Sequence, residues 1–237
     1  MATLLSALET QARRHLIEAT ASYWSSAELI DIMNNGIKDL WRDIVDLKQE
    51  HFLTNDTSNV TMAADTATLT GVPADVHKVY LIEPTDTTAN STNKGLIFTP
   101  LDYNHKYFQS ARTLSSVDPS NNVIYYSVTG AGAPTGTSST VIYVAPKLNS
   151  ATSLRFVYVP VLAAKTTSDN NPIPGEADNA LIAWTVAFAR AKEREDRSPD
   201  PNWLSVYATE KSHLLQSLGL RQYHEPTYVD ALYEESW

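Results

Sequence analysis

Tyr23-Trp24-Ser25-Ser26-Ala27-Glu28-Leu29-Ile30 opens the stretch of sequence that decides the fold. Ser25 and Glu28 have the S-x-x-E spacing of a capping box, in which each side chain accepts a hydrogen bond from the backbone amide of the other residue. Trp24 and Leu29 flank this box as a hydrophobic staple does. Apolar side chains then recur at helical spacing, at Leu29, Ile32, Met33, Ile37, Leu40, Trp41, Ile44 and Leu47. The pattern predicts an amphipathic helix that continues to about Phe52.

Three further helices are predicted near the two ends of the chain. Residues 4–18 carry apolar side chains at spacings of three and four, and a second such pattern begins after residue 175 and ends in the charged residues 192–197. Asp200 and Pro201 have the residue types of an N-cap and a first helical position, so they predict the start of a last helix. Gly219 is a candidate for the residue that follows this helix. The last two helices are therefore expected to form a hairpin.

Residues 54–171 have a different composition, in which short β-branched and aromatic runs are separated by clusters of Thr, Ser, Asn, Gly and Pro. Such runs are typical of strands, and the clearest are residues 76–82, 123–128, 140–144 and 154–159. No long helical pattern lies between them, although residues 100–110 could form a short helix or a loop. An antiparallel sandwich or open barrel is therefore expected rather than a parallel sheet.

These patterns predict an α+β fold, in which a helical bundle formed by the N- and C-terminal helices carries an inserted antiparallel β-sandwich or barrel-like domain. The expected segments are residues 1–53 and 172–219 for the two halves of the helical body, 54–171 for the β domain and 220–237 for an extended C-terminal docking tail. A tail of this composition is poorly ordered on its own. We therefore expect it to lie against a partner or a neighbouring copy.

The composition excludes several classes of function. The chain of 237 residues has no cysteine, which removes disulfides, thiolate metal sites and cysteine nucleophiles. A formal net charge of −9 argues against binding nucleic acid by neutralising its phosphates, but it does not argue against DNA passing nearby, because an acidic wall would repel phosphates. No apolar run reaches the roughly 20 residues of a membrane span. Because no secretory signal pattern is present, we expect the protein to be made in a cytoplasm.

The sequence carries no motif of a catalytic or metal-binding site. Its six histidines are scattered, with no H-x-x-x-H spacing for a metal ion. The eight glycines form neither a phosphate-binding loop nor a dinucleotide fingerprint, and there is no G-x-S-x-G nucleophile elbow. We therefore expect no enzyme activity, no cofactor and no metal.

Two groups of residues resemble a known protein family. The first is Tyr23-Trp24-Ser25-Ser26-Ala27-Glu28-Leu29-Ile30, followed by Asn34, Ile37, Leu40 and Trp41. The second runs from Ile173-Pro174 through an alanine-rich helix that ends in residues 189–196, and then includes Pro199-Asp200-Pro201 and Tyr207. In this order, around a β insertion, they resemble the opening helix and the closing hairpin of the head-to-tail adaptor (connector) proteins of tailed bacteriophages, of the short-tailed (podovirus) type.

The resemblance implies a structural virion protein of the head-to-tail junction, made in the host bacterial cytoplasm. Proteins of this kind assemble as a homo-oligomeric ring, commonly of twelve copies, beneath the portal protein, and tail or nozzle proteins dock below them. DNA would pass through the channel of the ring without sequence-specific binding, and no membrane would be involved.

Two sets of residues are candidates for contacts with these partners. Tyr and Trp are typical interface anchors, and the predicted tail carries Tyr223, Tyr228, Tyr233 and Trp237, which are expected to bind the portal or a neighbouring subunit. A mixed-sign patch for contacts between subunits is formed by Arg190, Lys192, Glu193, Arg194, Glu195 and Arg197. The alternative for this patch is a solvated helix face whose charges pair at i and i+4.

Two other functions are compatible with the sequence. A tail-associated carbohydrate-binding or carbohydrate-degrading module would use exposed tyrosines of the β domain to stack on sugars, and the isolated protein would then bind or cleave glycans. A cellular interaction protein unrelated to phages would form no ring and would engage no portal.

Overall fold

The computed structural model describes residues 3–18, 23–56, 60–85, 93, 95–120, 122–130, 140–194 and 197–220. The chain divides into two compact units, Met1–Lys48 with Thr166–Trp237 and Gln49–Lys165. The first unit therefore joins segments from both ends of the sequence, and the second unit is one continuous insert between them.

The first unit is helical. Its helices are α1 (Leu5–His15), α2 (Ser26–Lys48), α4 (Asp178–Arg190) and α5 (Pro201–Leu220), whereas the short α3 (Lys106–Arg112) belongs to the second unit. The core of the first unit is apolar, and its members include Leu5, Leu8, Leu29, Met33, Ile37, Leu40, Ile44, Leu181, Val186 and Leu218. These residues lie at the periodic positions of the sequence, so the helical pattern and the buried face agree.

The predicted starts of two helices are confirmed. The amide of Ser25 donates to Glu28 Oε2 at 2.9 Å, and the amide of Glu28 donates to Ser25 Oγ at 3.2 Å, which closes the capping box in front of α2. The Asp200 carboxylate accepts from the amide of Asn202 at 2.9 Å, and Pro201 is the first residue of α5. Local side chains therefore satisfy amides that the helix itself leaves unpaired.

The predicted ends of two helices are wrong. Gly219 lies inside α5, which continues to Leu220, so it does not terminate the helix. The α4 helix ends at Arg190 and is followed by a 3₁₀ turn, Ala191–Glu193, so Lys192 and Glu193 do not extend a regular α-helical face. Because i to i+4 pairing needs a continuous helix, the described residues 190–194 do not pair along one helical face, whereas residues 195–196 lie outside the described residues.

The second unit contains two sheets. One includes β1 (Thr54–Asp56), β2 (Thr61–Met62), β3 (Leu69–Thr70), β4 (Val76–Pro84) and β8 (Thr152–Pro160), and the other includes β5 (Ile97–Pro100), β6 (Val123–Thr129) and β7 (Val141–Ala145). Strand β8 pairs antiparallel with β1, β2 and β4, so it organises the first sheet. Four of these strands coincide with the four clearest sequence runs, and the α+β class is confirmed.

The two sheets share one apolar core. It takes Met62, Leu69, Val76, Ile82, Leu154 and Phe156 from the first sheet and Ile124, Tyr126, Ile142 and Val144 from the second. One pairing departs from the expected antiparallel pattern, because β5 runs parallel to β6 with Ile97 opposite Val123. Parallel neighbours need a crossover connection, and the segment that contains α3 supplies it between these two strands.

Candidate partner interface

Trp24 connects the start of α2 to the end of α4. Its side chain is buried, and its indole Nε1 donates a 2.9 Å hydrogen bond to the backbone carbonyl of Ala189. Ala189 belongs to the last turn of α4, where carbonyl groups lack helical partners. The two segments that resemble the adaptor family are therefore joined directly at this point.

A buried ion network holds α1 against the same junction. Arg13 lies 2.8 Å from Glu9 Oε1 and 3.1 Å from Glu18 Oε2, and it also donates to the carbonyl of Trp24 at 3.0 Å. Ser26 Oγ donates to Glu9 at 2.7 Å. Such a network fixes geometry more than it adds stability, because removing two charges from water costs several kcal/mol per ion.

Arg190, the first residue of the predicted charged patch, is used inside its own chain. Its guanidinium lies 3.3 Å from Asp200 Oδ2, donates to the carbonyl of His15 at 3.0 Å and lies 5.9 Å from the centre of the Trp203 ring. Partial burial opposes ionisation of Asp200, but hydrogen bonds from the Asn202 amide and Arg190 outweigh it and lower the pKa of that carboxyl. Arg190 therefore connects the ends of α4 and α1 to the start of α5.

Lys192 is also paired within the chain. Its ammonium lies 2.9 Å from Glu28 Oε1, donates to the carbonyl of Tyr23 at 2.9 Å and lies 4.8 Å from the centre of the Tyr23 ring. The hydrogen bond from Lys192, with those from Ser25, lowers the pKa of Glu28 to about 2. The Glu28 carboxylate therefore connects the capping box of α2 to the turn that follows α4.

The rest of the predicted patch faces solvent where it is described. Glu193, Arg194 and Arg197 are exposed, and Arg197 lines a cavity of about 540 Å³ together with Trp24, Glu28, Asp31, Ile32, Phe188, Ala189 and Lys192. Glu195 lies outside the described residues, as do the tail residues Tyr223, Tyr228, Tyr233 and Trp237. The structure therefore brings Arg190, Lys192 and Arg197 to one end of the helical unit.

A second polar cluster joins α2 to α5. Lys211 Nζ lies 2.7 Å from Asp39 Oδ2 and 2.6 Å from Asp43 Oδ2, and the Tyr207 hydroxyl donates to Asp39. Partial burial works against the charged form of Asp39, but the hydrogen bonds from Lys211 and Tyr207 lower its pKa. Burial and the Asp39 carboxylate raise the pKa of Tyr207. At neutral pH Asp39 is therefore ionised, and Tyr207 and Lys211 keep their protons.

An open groove lies beside this cluster. It has a volume of about 620 Å³ and is lined by Leu47, Tyr207, Ala208, Lys211, Ser212, Leu215 and Gln216. Leu47 is 49% exposed, although it belongs to the apolar stripe of α2. The apolar stripe of α2 therefore extends past the residues that the other helices of the unit bury.

Sequence reasoning missed three features of the helical unit. These are the network around Arg13, the cluster around Lys211 and the residue Ile17, which has a φ of 60° and is 90% exposed. The charged clusters gave no usable signal, because 18 basic and 27 acidic residues allow many pairings. The left-handed conformation of Ile17 was not expected from its residue type, since the left-handed residue that follows a helix is usually Gly or Asn.

The described residues contain no group of three or more His, Asp or Glu side chains arranged to hold a metal ion. Among the helices in those same ranges, none has both the length and the apolar character needed to cross a membrane.

Comparison with known proteins gives one family. No curated protein matches the chain. A family model described as SU10 adaptor protein matches residues 3–228, which include both helical segments and the β insert. The chain therefore belongs to the SU10 adaptor protein family, and it is a structural adaptor of the bacteriophage head-to-tail junction.

Proposed function

We propose that copies of this chain form a ring between the portal and the tail of a short-tailed phage, with twelve copies as the expected number, and that the ring lines the DNA channel. The role is mechanical, and no catalytic step is involved. The helical body closes the ring, and the β domain offers a surface to tail or nozzle proteins. The division of the chain into body, insert and tail belongs to this proposal.

One observation carries the proposal: the adaptor family model matches residues 3–228. The helical unit supports a mechanical role, because Trp24 and Arg190 each connect segments that are distant in sequence. The net charge of −9 supports passage of DNA, since an acidic wall repels phosphates and does not retain them.

Only part of the predicted set of contact residues keeps its role in the proposal. Glu193 and Arg197 are exposed, so a neighbouring subunit can reach them, and Arg194 is exposed as well, whereas Arg190 and Lys192 form ion pairs that hold the body together. Tyr223, Tyr228, Tyr233 and Trp237 would dock on the portal or on a neighbouring copy as aromatic anchors.

The mass of the full-length chain mixed with the portal protein of its phage tests the proposal. We expect a portal-dependent assembly that contains many copies of the chain. A version that ends after Leu220 should assemble more weakly if the tail binds the portal. The proposal fails if the full-length chain stays monomeric beside the portal, and glycan-binding and glycan-cleavage assays on the isolated chain would then test the carbohydrate alternative.

A further inference from the structure

Asn35 and Gly36 form the one Asn-Gly pair in the sequence. Such a pair is chemically labile, because the amide nitrogen of the following residue can attack the asparagine side chain, and glycine has no Cβ to hinder the approach. Both residues lie well inside α2 (Ser26–Lys48), where the Asn35 side chain is exposed and Gly36 is buried. The fold therefore holds a reactive pair within a regular helix.

The reaction open to this pair is deamidation, which has two steps. In the first step the Gly36 amide nitrogen forms a bond to Asn35 Cγ and loses its proton, ammonia leaves, and a succinimide ring closes. In the second step a water molecule opens the ring at either of its carbonyl groups. The side-chain NH₂ is thus exchanged for OH, and the product is aspartate or isoaspartate. Isoaspartate carries the main chain through the side chain, so it adds a methylene group to the backbone.

The helix opposes the first step. In an α-helix the amide of residue 36 donates to the carbonyl of residue 32, along the helix axis. The nitrogen that must attack Asn35 Cγ is therefore engaged in a backbone hydrogen bond and directed away from the side chain. Cyclisation needs this turn of α2 to open.

Trp184 of α4 holds the same turn closed. Its indole Nε1 donates a 3.1 Å hydrogen bond to the Ile32 carbonyl, which is also the helical acceptor of the Gly36 amide. The indole ring covers Gly36 so closely that an added Cβ would lie 2.7 Å from Cδ1. Because the turn cannot open while the indole stays in place, the packing of α4 on α2 controls how often it opens.

We propose that Asn35 is a deamidation site whose rate is controlled by the opening of α2 away from Trp184. The reaction is slow while the two helices are packed, and it proceeds when this turn opens. An isoaspartate at position 35 lengthens the backbone beside Gly36 and breaks the i to i−4 spacing of the helix. A transient opening is thereby converted into a permanent loss of α2–α4 packing, and this holds whether or not the chain forms a ring.

Peptide mapping by mass spectrometry measures the modification in the full-length chain during incubation at neutral pH. We expect Asn35 to react at least about tenfold faster in urea than in the folded chain, because unfolding removes both the helical bond and the Trp184 cover. Asn149 is the internal comparator, since it is exposed in a bend and is followed by Ser150. Its rate should change less, because no helix protects it.

Trp184→Phe tests the control by α4 in the folded chain. It removes the donor to the Ile32 carbonyl and should speed the modification of Asn35 by about fivefold. Tyr158→Phe is the matched control, because it removes a hydroxyl that donates to Asp75 at 3.1 Å in the second unit. It should leave the rate at Asn35 unchanged.

Two variants at position 35 separate the causes of the damage. Asn35→Gln keeps an exposed amide but would have to close a larger ring, so its thermal midpoint should stay constant during an incubation in which that of the unaltered chain falls. Freshly purified Asn35→Asp carries the charge of the product on a normal backbone and should melt close to the unaltered chain. A midpoint as low as that of the modified chain would assign the damage to charge and overturn its backbone origin.

The proposed control by α2 and Trp184 has its own decisive outcomes. It is overturned if Asn35 reacts as fast in the folded chain as in urea, or if it reacts in neither. It is also overturned if Trp184→Phe speeds the reaction no more than Tyr158→Phe does.

Discussion

A Cβ atom added at Gly36 would lie 2.7 Å from Cδ1 and 2.9 Å from Cγ of Trp184. Trp184 is held in place, because its indole Nε1 donates a 3.1 Å hydrogen bond to the backbone carbonyl of Ile32. Leu181 would lie 3.0 Å from the same added atom. Helices α2 and α4 therefore approach so closely that only glycine fits at position 36.

We expect Gly36→Ala to lower the free energy of unfolding by about 1–3 kcal/mol, because overpacking forces the indole or a helix to move. The gain in helix propensity from alanine, about 1 kcal/mol, works in the opposite direction and is smaller than the strain. Urea unfolding followed by circular dichroism measures the difference. Gly219→Ala is the matched control, since Gly219 also lies in a helix but has no neighbour within 4 Å. It should stabilise the protein slightly, and equal effects of the two variants would contradict the packing argument.

Replacing Trp24 with phenylalanine keeps a buried ring and removes one hydrogen-bond donor. The carbonyl of Ala189 then loses its 2.9 Å partner in a buried position. We expect a loss of about 1–3 kcal/mol in the free energy of unfolding, the range for a buried group left unsatisfied. Tyr23→Phe is the control, because its hydroxyl makes a longer, exposed bond to the Lys192 carbonyl at 3.3 Å. A loss for Tyr23→Phe as large as that for Trp24→Phe would contradict a special role for the buried bond.

Features that depend on neighbouring residues could be predicted from the sequence. The capping box of Ser25 and Glu28 and the helix start at Asp200 and Pro201 could be predicted because the side chains that form them lie within four positions of the helix start. The structure confirms both. The four clearest strands were recognised for a similar reason, since residue type and turn signals mark them locally.

Features that depend on distant partners could not be predicted. The parallel pairing of β5 with β6 is one, because Ile97–Pro100 is short and nothing in it specifies direction. The partners of Arg13 and Lys211 are another, since they are decided by how helices pack. The position of Gly36 opposite Trp184 also depends on packing, although a single glycine inside a helical pattern is a signal of close approach.

Glu28 makes stability depend on pH in a defined range. Its pKa in the folded chain is about 2, below its usual value of 4.5, so its contribution is present above pH 4.5 and is lost as the pH falls toward 2. We expect Glu28→Gln to flatten the dependence of the urea midpoint on pH between about 4.5 and 2. Because the Glu28 side chain is exposed, added salt should weaken the contribution of its ion pair with Lys192 to this pH dependence. The control Glu193→Gln removes the same charge and should leave the dependence of the urea midpoint on pH unchanged. If Glu28→Gln also leaves this dependence unchanged, Glu28 is not its source.

The bond from Tyr207 to Asp39 should appear as a coupling energy between α2 and α5. In a double-mutant cycle of Tyr207→Phe and Asp39→Asn we expect about 1 kcal/mol of coupling in the free energy of unfolding. A parallel cycle of Tyr207→Phe with Asp43→Asn is the control, since Asp43 contacts Lys211 and is not the acceptor of the phenol. Equal coupling in both cycles would show that general electrostatics, and not the hydrogen bond, connects the helices.

Arg13 and Arg14 are adjacent arginines with opposite environments, so they give the sharpest test of the buried network. Arg13→Met leaves the carboxylates of Glu9 and Glu18 buried without their guanidinium, and we expect a loss of about 3–5 kcal/mol in the free energy of unfolding. Arg14→Met removes the same charge from an exposed site and should change stability by less than about 0.5 kcal/mol. Combining Arg13→Met with Glu9→Gln should recover part of the loss, because one uncompensated charge is then removed. Similar losses for the two single arginine variants would mean that α1 is held by its apolar face alone and that the ion network does not contribute.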